Sequence, residues 1–156
     1  MTVGQNLIQA SNRFYLRIRH PDAFKAAHDA ARAKDFNVMD GASYCLLTTF
    51  KRSGEPVPTP VWFGVADGKL YFHTEGEIGK IKRIRNEGRV LVGPCTMRGK
   101  PKGPMVEARA RVLPDEEEER AEAAIQSNYG LGRRIYEHGG ERLVDVPMVY
   151  VEAMPV

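Results

Sequence analysis

Residues 43–74 read SYCLLTTFKRSGEPVPTPVWFGVADGKLYFHT, and this stretch decides the fold. Its first part, SYCLLTTF over 43–50, is β-branched and aromatic and predicts a strand. Ser53-Gly54 marks a turn within residues 51–55, and residues 56–65 read as the returning strand. Asp67-Gly68 stands between VWFGV and KLYFHT, a strong two-residue hairpin signal. The expectation is three strands of an antiparallel meander.

Downstream, residues 77–86 predict a short helix, and 89–96 and 105–113 predict two more strands joined by the basic loop RGKPKG at 98–103. Residues 114–126 predict a helix whose DEEEE start complements the helix dipole. Residues 131–138 predict a further helical turn or two, stopped by Gly139-Gly140, and 146–153 a last strand. Upstream, Leu7, Ile8, Ser11, Phe14, Tyr15 and Ile18 share one face of a helix over 5–19. A second helix starts at Pro21 or Asp22 and runs to about Lys34, with Phe24, Ala27 and Ala31 on one side. The chain is therefore expected to be mainly β: a small antiparallel barrel over residues 41–156, preceded by a helical N-terminal extension over 1–40.

Composition agrees with a globular domain. The 156 residues are 42% hydrophobic and 28% charged, with a formal net charge of +3. No run of 18 apolar residues is present, so no membrane-spanning helix is expected. Two cysteines, Cys45 and Cys95, form neither a disulfide framework nor a C-x-x-C pair, which suits a reduced, cytoplasmic setting. The histidines His20, His28, His73 and His138 lack zinc-ligand spacing, so no metal is expected. No P-loop, G-x-G-x-x-G or G-x-S-x-G motif occurs, and no paired acid and base stand out. An enzyme built from this sequence would take its chemistry from a cofactor.

Two features point to a binding site. The first is Pro56-Val57-Pro58-Thr59-Pro60-Val61-Trp62. Prolines at period two remove the N–H donors from one side of a strand and leave those of Val57, Thr59 and Val61 on the other. Such a strand belongs at a split in a barrel, beside a ligand, or at a plain edge protected from aggregation. The second is GEIGKIKRIRN over 76–86. Ile78, Ile81 and Ile84 share one face, while Lys80 and Arg83 project from another flank. A cation in the first turn opposes the helix dipole unless an anion is bound there. Gly79 allows close backbone approach, and Thr74 just upstream can donate a hydroxyl, so a phosphate site is one reading and a solvated basic face the other. The loop cations Arg98, Lys100 and Lys102 add positive potential. The aromatic residues are not interleaved with these cations, which argues against nucleic acid.

The blocks LTTF, PVPTPVWF, GK-x-x-R-I-R-N and RV-x-x-x-PC, in this order between residues 47 and 95, resemble the pyridoxamine-phosphate-oxidase-like split-barrel superfamily. Within it, the chain is most similar to the coenzyme F420 (deazaflavin)-dependent oxidoreductases. The resemblance implies an FMN-binding split-barrel-like fold and a homodimer, with the cofactor in a groove at the subunit interface. It implies a ring system lying along Val57, Pro58, Thr59, Pro60, Val61 and Trp62, and a phosphate held near Thr74, Gly79, Lys80 and Arg83. Pro94 and Cys95 match positions near the cofactor. Flavin-using members carry basic residues where this chain has Gly79 and near Pro56 or Val57, so the resemblance favours F420, with FMN as the alternative. The implied reaction is hydride transfer from the reduced deazaflavin to an unsaturated small molecule. Tyr71, His73 or solvent would supply the proton. An FMN oxidase or a non-catalytic ligand-binding module are the competing functions.

Overall fold

The computed structural model describes residues 19–76, 79–140 and 147–156, with 130–140 described by backbone alone. The helix expected over 5–19, apart from Arg19, and the anchoring role expected of Ile78 lie outside those residues. The chain order is α1 (Asp22–Asp29), β1 (Arg32–Ala33), a 3-10 turn (Phe36–Met39), β2 (Tyr44–Phe50), β3 (Pro56–Val61), β4 (Phe63–Ala66), β5 (Lys69–Glu75), α2 (Gly79–Asn86), β6 (Arg89–Cys95), β7 (Met105–Val112), α3 (Glu118–Gly140) and β8 (Met148–Pro155).

The strands form one sheet in the order β3-β2-β6-β7-β8-β5-β4, with β1 added in parallel to β7. β3 and β4 stand at opposite ends of that path, yet only Trp62 separates them in the chain. Two peptide steps span about 7 Å at most, so the sheet must curl until its two ends meet. The result is an open, split antiparallel barrel, as the sequence predicts.

The expected meander is corrected at this point. Residues 56–65 are two strands, and β3 and β4 do not pair with each other. The reason lies in Phe63. Its N–H donates to the Tyr129 hydroxyl (3.0 Å) and its carbonyl accepts from Asn128 Nδ2 (3.1 Å), both from α3. The Tyr129 hydroxyl also donates to the Ser43 carbonyl at 2.5 Å. One phenol thus ties the chain entering β2 to the start of β4. The two tight turns follow the expectation. Gly54 adopts φ +89°, and Asp67 and Gly68 adopt φ +53° and +75°, the left-handed pair that a type I′ hairpin needs.

Alternation along the strands sorts the side chains. Cys45, Leu47, Val61, Phe63, Leu70, Phe72, Val90, Val92, Val106 and Val151 fill the barrel, and Ile81 and Ile84 of α2 close it. The opposite face of β2, β6 and β7 packs Leu46, Phe50, Leu91, Cys95 and Met105 against Ala23, Ala26 and Ala27 of α1. Alanines let the helix lie close to the sheet. The buried face of α1 is therefore Ala23, Ala26 and Ala27, and not the one through Phe24 and Ala31; Phe24 is 46% exposed. The helix also ends at Asp29 instead of Lys34. Arg32 turns back to satisfy the terminal carbonyls, donating to Ala27 O (2.6 Å) and Ala30 O (2.7 Å). Arg32 and Ala33 then pair with Met105 and Val106, and Phe36 and Met39 enter the barrel core.

Residues 118–140 form a single helix, where the sequence predicts two. Isolated glycines such as Gly130 and Gly132 cost a helix only about 1 kcal/mol each. α3 packs Ala121, Ala124 and Ile125 on Tyr71 and Leu113. Under its first turns, Glu152 is 1% exposed and accepts from Tyr71 Oη (3.1 Å), Arg111 Nε (3.1 Å) and Arg120 Nη2 (3.1 Å). No helix among the described residues is long and apolar enough to cross a membrane.

Candidate functional site

The proline strand sits where its chemistry requires. Among the described residues β3 pairs only with β2, in the register Thr49↔Val57, Leu47↔Thr59 and Cys45↔Val61. Only Val57, Thr59 and Val61 have N–H groups to give that ladder. The free edge carries the carbonyls of Pro56, Pro58 and Pro60 and no donor from those three residues. Val57, Thr59 and Val61 face the barrel interior, with Val61 in its core. Pro58 is buried on the outer face, where α1 packs against β3.

At the Val57 end, α2 brings its cations to the sheet. Lys80 and Arg83 are half-buried, while Lys82 and Arg85 on the opposite flank are exposed. Arg83 runs back along its own helix and donates from Nε to Thr49 Oγ1 at 2.6 Å. Thr49 is 1% exposed and is the direct partner of Val57. The guanidinium lies over Gly79: a Cβ built there would come 2.9 Å from Arg83 Nη1. Gly79 is thus the space that Arg83 occupies, a role different from ligand approach alone. Thr74, the last interior-facing residue of β5, is 8% exposed just before this helix.

Arg19 is a further half-buried cation. Its guanidinium lies 4.8 Å from the Phe24 ring centroid, and its Cγ lies 3.8 Å from where a Cβ of Gly99 would sit. The backbone here is tied to the basic loop by His20 N donating to Arg98 O (2.8 Å). Arg19 Nη1 is buried with no hydrogen-bond partner among the described residues. Burial, and then the proximity of Arg83, hold the Arg19 pKa below its ordinary value. Lys80 is pushed down to about 8 by burial first and then by Arg83, against an upward pull from Glu75, with the smallest contribution from Arg19. Burial also lowers Arg83. Like charges held together at such a cost form a site that an anion would relax.

At the other end of β3, Trp62 lies 5.4 Å from the Tyr129 ring at an interplanar angle of 31°. Burial pushes the Tyr129 hydroxyl up to about 12, keeping it neutral. Five residue steps from Val57 to Trp62 span roughly 17 Å.

The remaining expected residues are placed apart from this edge. Pro94 is buried opposite Cys45, on the interior face two strands from β3. Cys95 points to the other face, beneath α1, and burial pushes its thiol up to about 12. Tyr71 faces α3 and is engaged by Glu152, and its pKa is raised by burial and by that carboxylate. His73 stacks 5.6 Å from Tyr150 on that same outward side of β5. Neither stands at the proline edge. In the 98–103 loop, Arg98 O accepts from His20 N and Gly99 lies against the stem of Arg19. Sequence reasoning missed Thr49. The signal for Thr49 is a polar residue among buried ones, opposite Val57 in the predicted hairpin.

The sequence profile described as pyridoxamine 5'-phosphate oxidase matches residues 32–148. No curated protein matches the chain. Among solved structures, an FAD-binding protein from Mesorhizobium loti is similar with a TM-score of 0.55 at 21% identity, over 76% of this chain and 85% of that one. The heme storage protein HutZ of Vibrio cholerae is similar at 0.56 and 12% identity, over 76% and 85%. A conserved hypothetical protein of Mycobacterium tuberculosis reaches 0.55 at 18% identity, over 80% and 84%. At these identities the likeness is one of fold.

Proposed function

The chain belongs to the pyridoxamine 5'-phosphate oxidase family, and from that premise we propose that it is an oxidoreductase using coenzyme F420, a phosphate-bearing deazaflavin. The observation that carries the reading is the set of half-buried cations at the start of α2, beside a strand edge without proline donors. Such cations fit a phosphate. The fold's occurrence in an FAD-binding protein supports a flavin-type ring in general.

When bound, the deazaflavin supplies a hydride for an unsaturated small molecule. The protein's own part is placement. Lys80 and Arg83 hold the phosphate, Thr49 fixes the direction of Arg83, and Thr74 stands by as a hydroxyl donor. The side chains of Val57 to Trp62 shape the ring pocket and exclude water. The proton comes from solvent, because Tyr71 is held by Glu152. A second copy of the chain completes the groove in a homodimer, so a monomer by size measurement would count against the site as drawn.

The test is titration of the purified protein with F420 and with FMN, followed by single-turnover oxidation of reduced F420 across a panel of acceptors. Saturable F420 binding with acceptor-dependent reoxidation is expected. Tight FMN binding in its place would make the protein a flavoenzyme of the same fold. Binding with no acceptor consumed would make it a cofactor-holding module.

A further inference from the structure

The far end of α2 meets β7 and β8 at a groove of about 800 Å³, a volume within the range of small-molecule sites. Ile84, Gly88, Ala110, Met154 and Pro155 give it an apolar wall, and Arg85 and Arg109 line it with them. The eight residues of α2 separate it from the Gly79 end of the helix by roughly 12 Å.

Gly88 sets the local geometry. A Cβ there would come 2.9 Å from Ala110 O and 3.4 Å from both Cγ and Nη1 of Arg109. The missing side chain lets the chain entering β6 press on β7, where Ala110 N donates to Gly88 O (2.7 Å). It also lets the Arg109 side chain lie along that junction.

The neighbouring arginines are neutralised and Arg109 is not. Arg89 donates from Nε to Glu107 (3.1 Å) and lies 4.3 Å over the Phe50 ring. Arg111 gives both terminal nitrogens to Glu117 (3.0 Å each) and its Nε to Glu152 (3.1 Å), so the Glu152 carboxylate on the groove is already engaged. Arg109 stands directly opposite Arg89 on one side and Met154 on the other. Its side chain makes no hydrogen bond or ion pair among the described residues. Like charges facing each other across strands repel, and nothing on the protein offsets this one. An exposed arginine alone is ordinarily solvated. Here it borders an apolar wall on which Met154 is 47% exposed.

We propose that this groove binds an apolar monocarboxylate, with the carboxylate on Arg109 and the hydrocarbon body against Ile84, Ala110 and Met154. A guanidinium fork matches a carboxylate in two parallel hydrogen bonds. One negative charge fits better than two. Arg109 is the unneutralised partner, Arg85 sits in the last turn of α2 where it complements the helix carbonyls, and those carbonyls repel further negative charge.

The probe is 1-naphthoate, with 1-naphthalenemethanol as its neutral counterpart, titrated by calorimetry at matched ionic strength. Wild type should prefer the acid by about tenfold or more. Arg109→Gln should lose that preference while holding the alcohol as before, as expected for a lost charge-assisted hydrogen bond. Arg109→Lys should recover part of it. Met154→Glu, opposite Arg109, places a competing carboxylate in the groove and should exclude the acid. Lys80→Ala should bind naphthoate like wild type. Equal affinity for acid and alcohol would overturn the proposal. So would unchanged naphthoate binding in Arg109→Gln, no binding by wild type at millimolar concentration, or an equal loss in Lys80→Ala, which would send the acid to the start of α2.

Discussion

Arg83 Nε donates to Thr49 Oγ1 at 2.6 Å, fastening the short cationic helix to the strand that carries the proline edge. This bond decides where the guanidinium points. Thr49→Val removes the acceptor while nearly keeping the volume. We expect a loss of about 1 kcal/mol in stability, because Arg83 can turn toward water. The larger effect should be on binding, with phosphate-bearing ligands held several-fold less tightly by about the same energy. Urea unfolding and a binding titration check the two separately.

Lys80 sets a pH dependence. Its pKa in the folded protein is lowered to about 8, below the ordinary value of 10.5. Between those values the unfolded chain holds the proton more tightly, so this group adds stability as pH rises from about 8 to 10.5. Anion binding has the opposite trend, since it needs the charged amine. Affinity for a phosphate group should fall as pH rises through 8, and Lys80→Arg should flatten that fall. Lys80→Ala should weaken binding by about 1–3 kcal/mol at neutral pH. An unchanged affinity in Lys80→Ala would remove Lys80 from the site.

Tyr129 spans the split in the barrel by accepting from Phe63 N and donating to Ser43 O. Tyr129→Phe leaves a backbone donor and a backbone acceptor without partners. The expected cost is about 1–3 kcal/mol in denaturant unfolding. Amide exchange at Phe63 should accelerate in the same variant.

Two glycines should respond in opposite ways. A Cβ at Gly64 would lie 2.0 Å from the backbone oxygen of Ala124, so α3 rests directly on the strand. Gly64→Ala should cost about 3 kcal/mol, through overpacking against backbone that cannot give way. At Gly79 the nearest group is the flexible end of Arg83. Gly79→Ala should gain up to about 1 kcal/mol of helix stability and lose phosphate affinity, as Arg83 is displaced. Melting curves with and without phosphate separate the two.

The barrel was legible because its signals are local. Alternating apolar residues, Ser53-Gly54 and Asp67-Gly68 each specify a strand or a turn within a few residues. The break at Trp62 was not legible, since nothing in VWFGV distinguishes one strand from two. It is imposed by Tyr129 and Asn128, more than sixty residues away. The same holds for the site. Lys80 and Arg83 announce themselves by helical spacing, and the proline edge by its period. Arg19 is set beside the 98–103 loop by a backbone hydrogen bond from His20 to Arg98 that no local pattern encodes. The end of α1 was misjudged because Arg32 caps carbonyls that precede it in the chain.

The central claim is that the α2 cations hold the phosphate of a deazaflavin lying along β3. The most direct measurement is the affinity of F420 for wild type and for Lys80→Ala and Arg83→Met, by calorimetry at neutral pH. The account predicts saturable binding by wild type and a loss of about 1–3 kcal/mol in each variant. Identical affinity in all three proteins, or no binding of F420 by wild type at micromolar concentration, would contradict it.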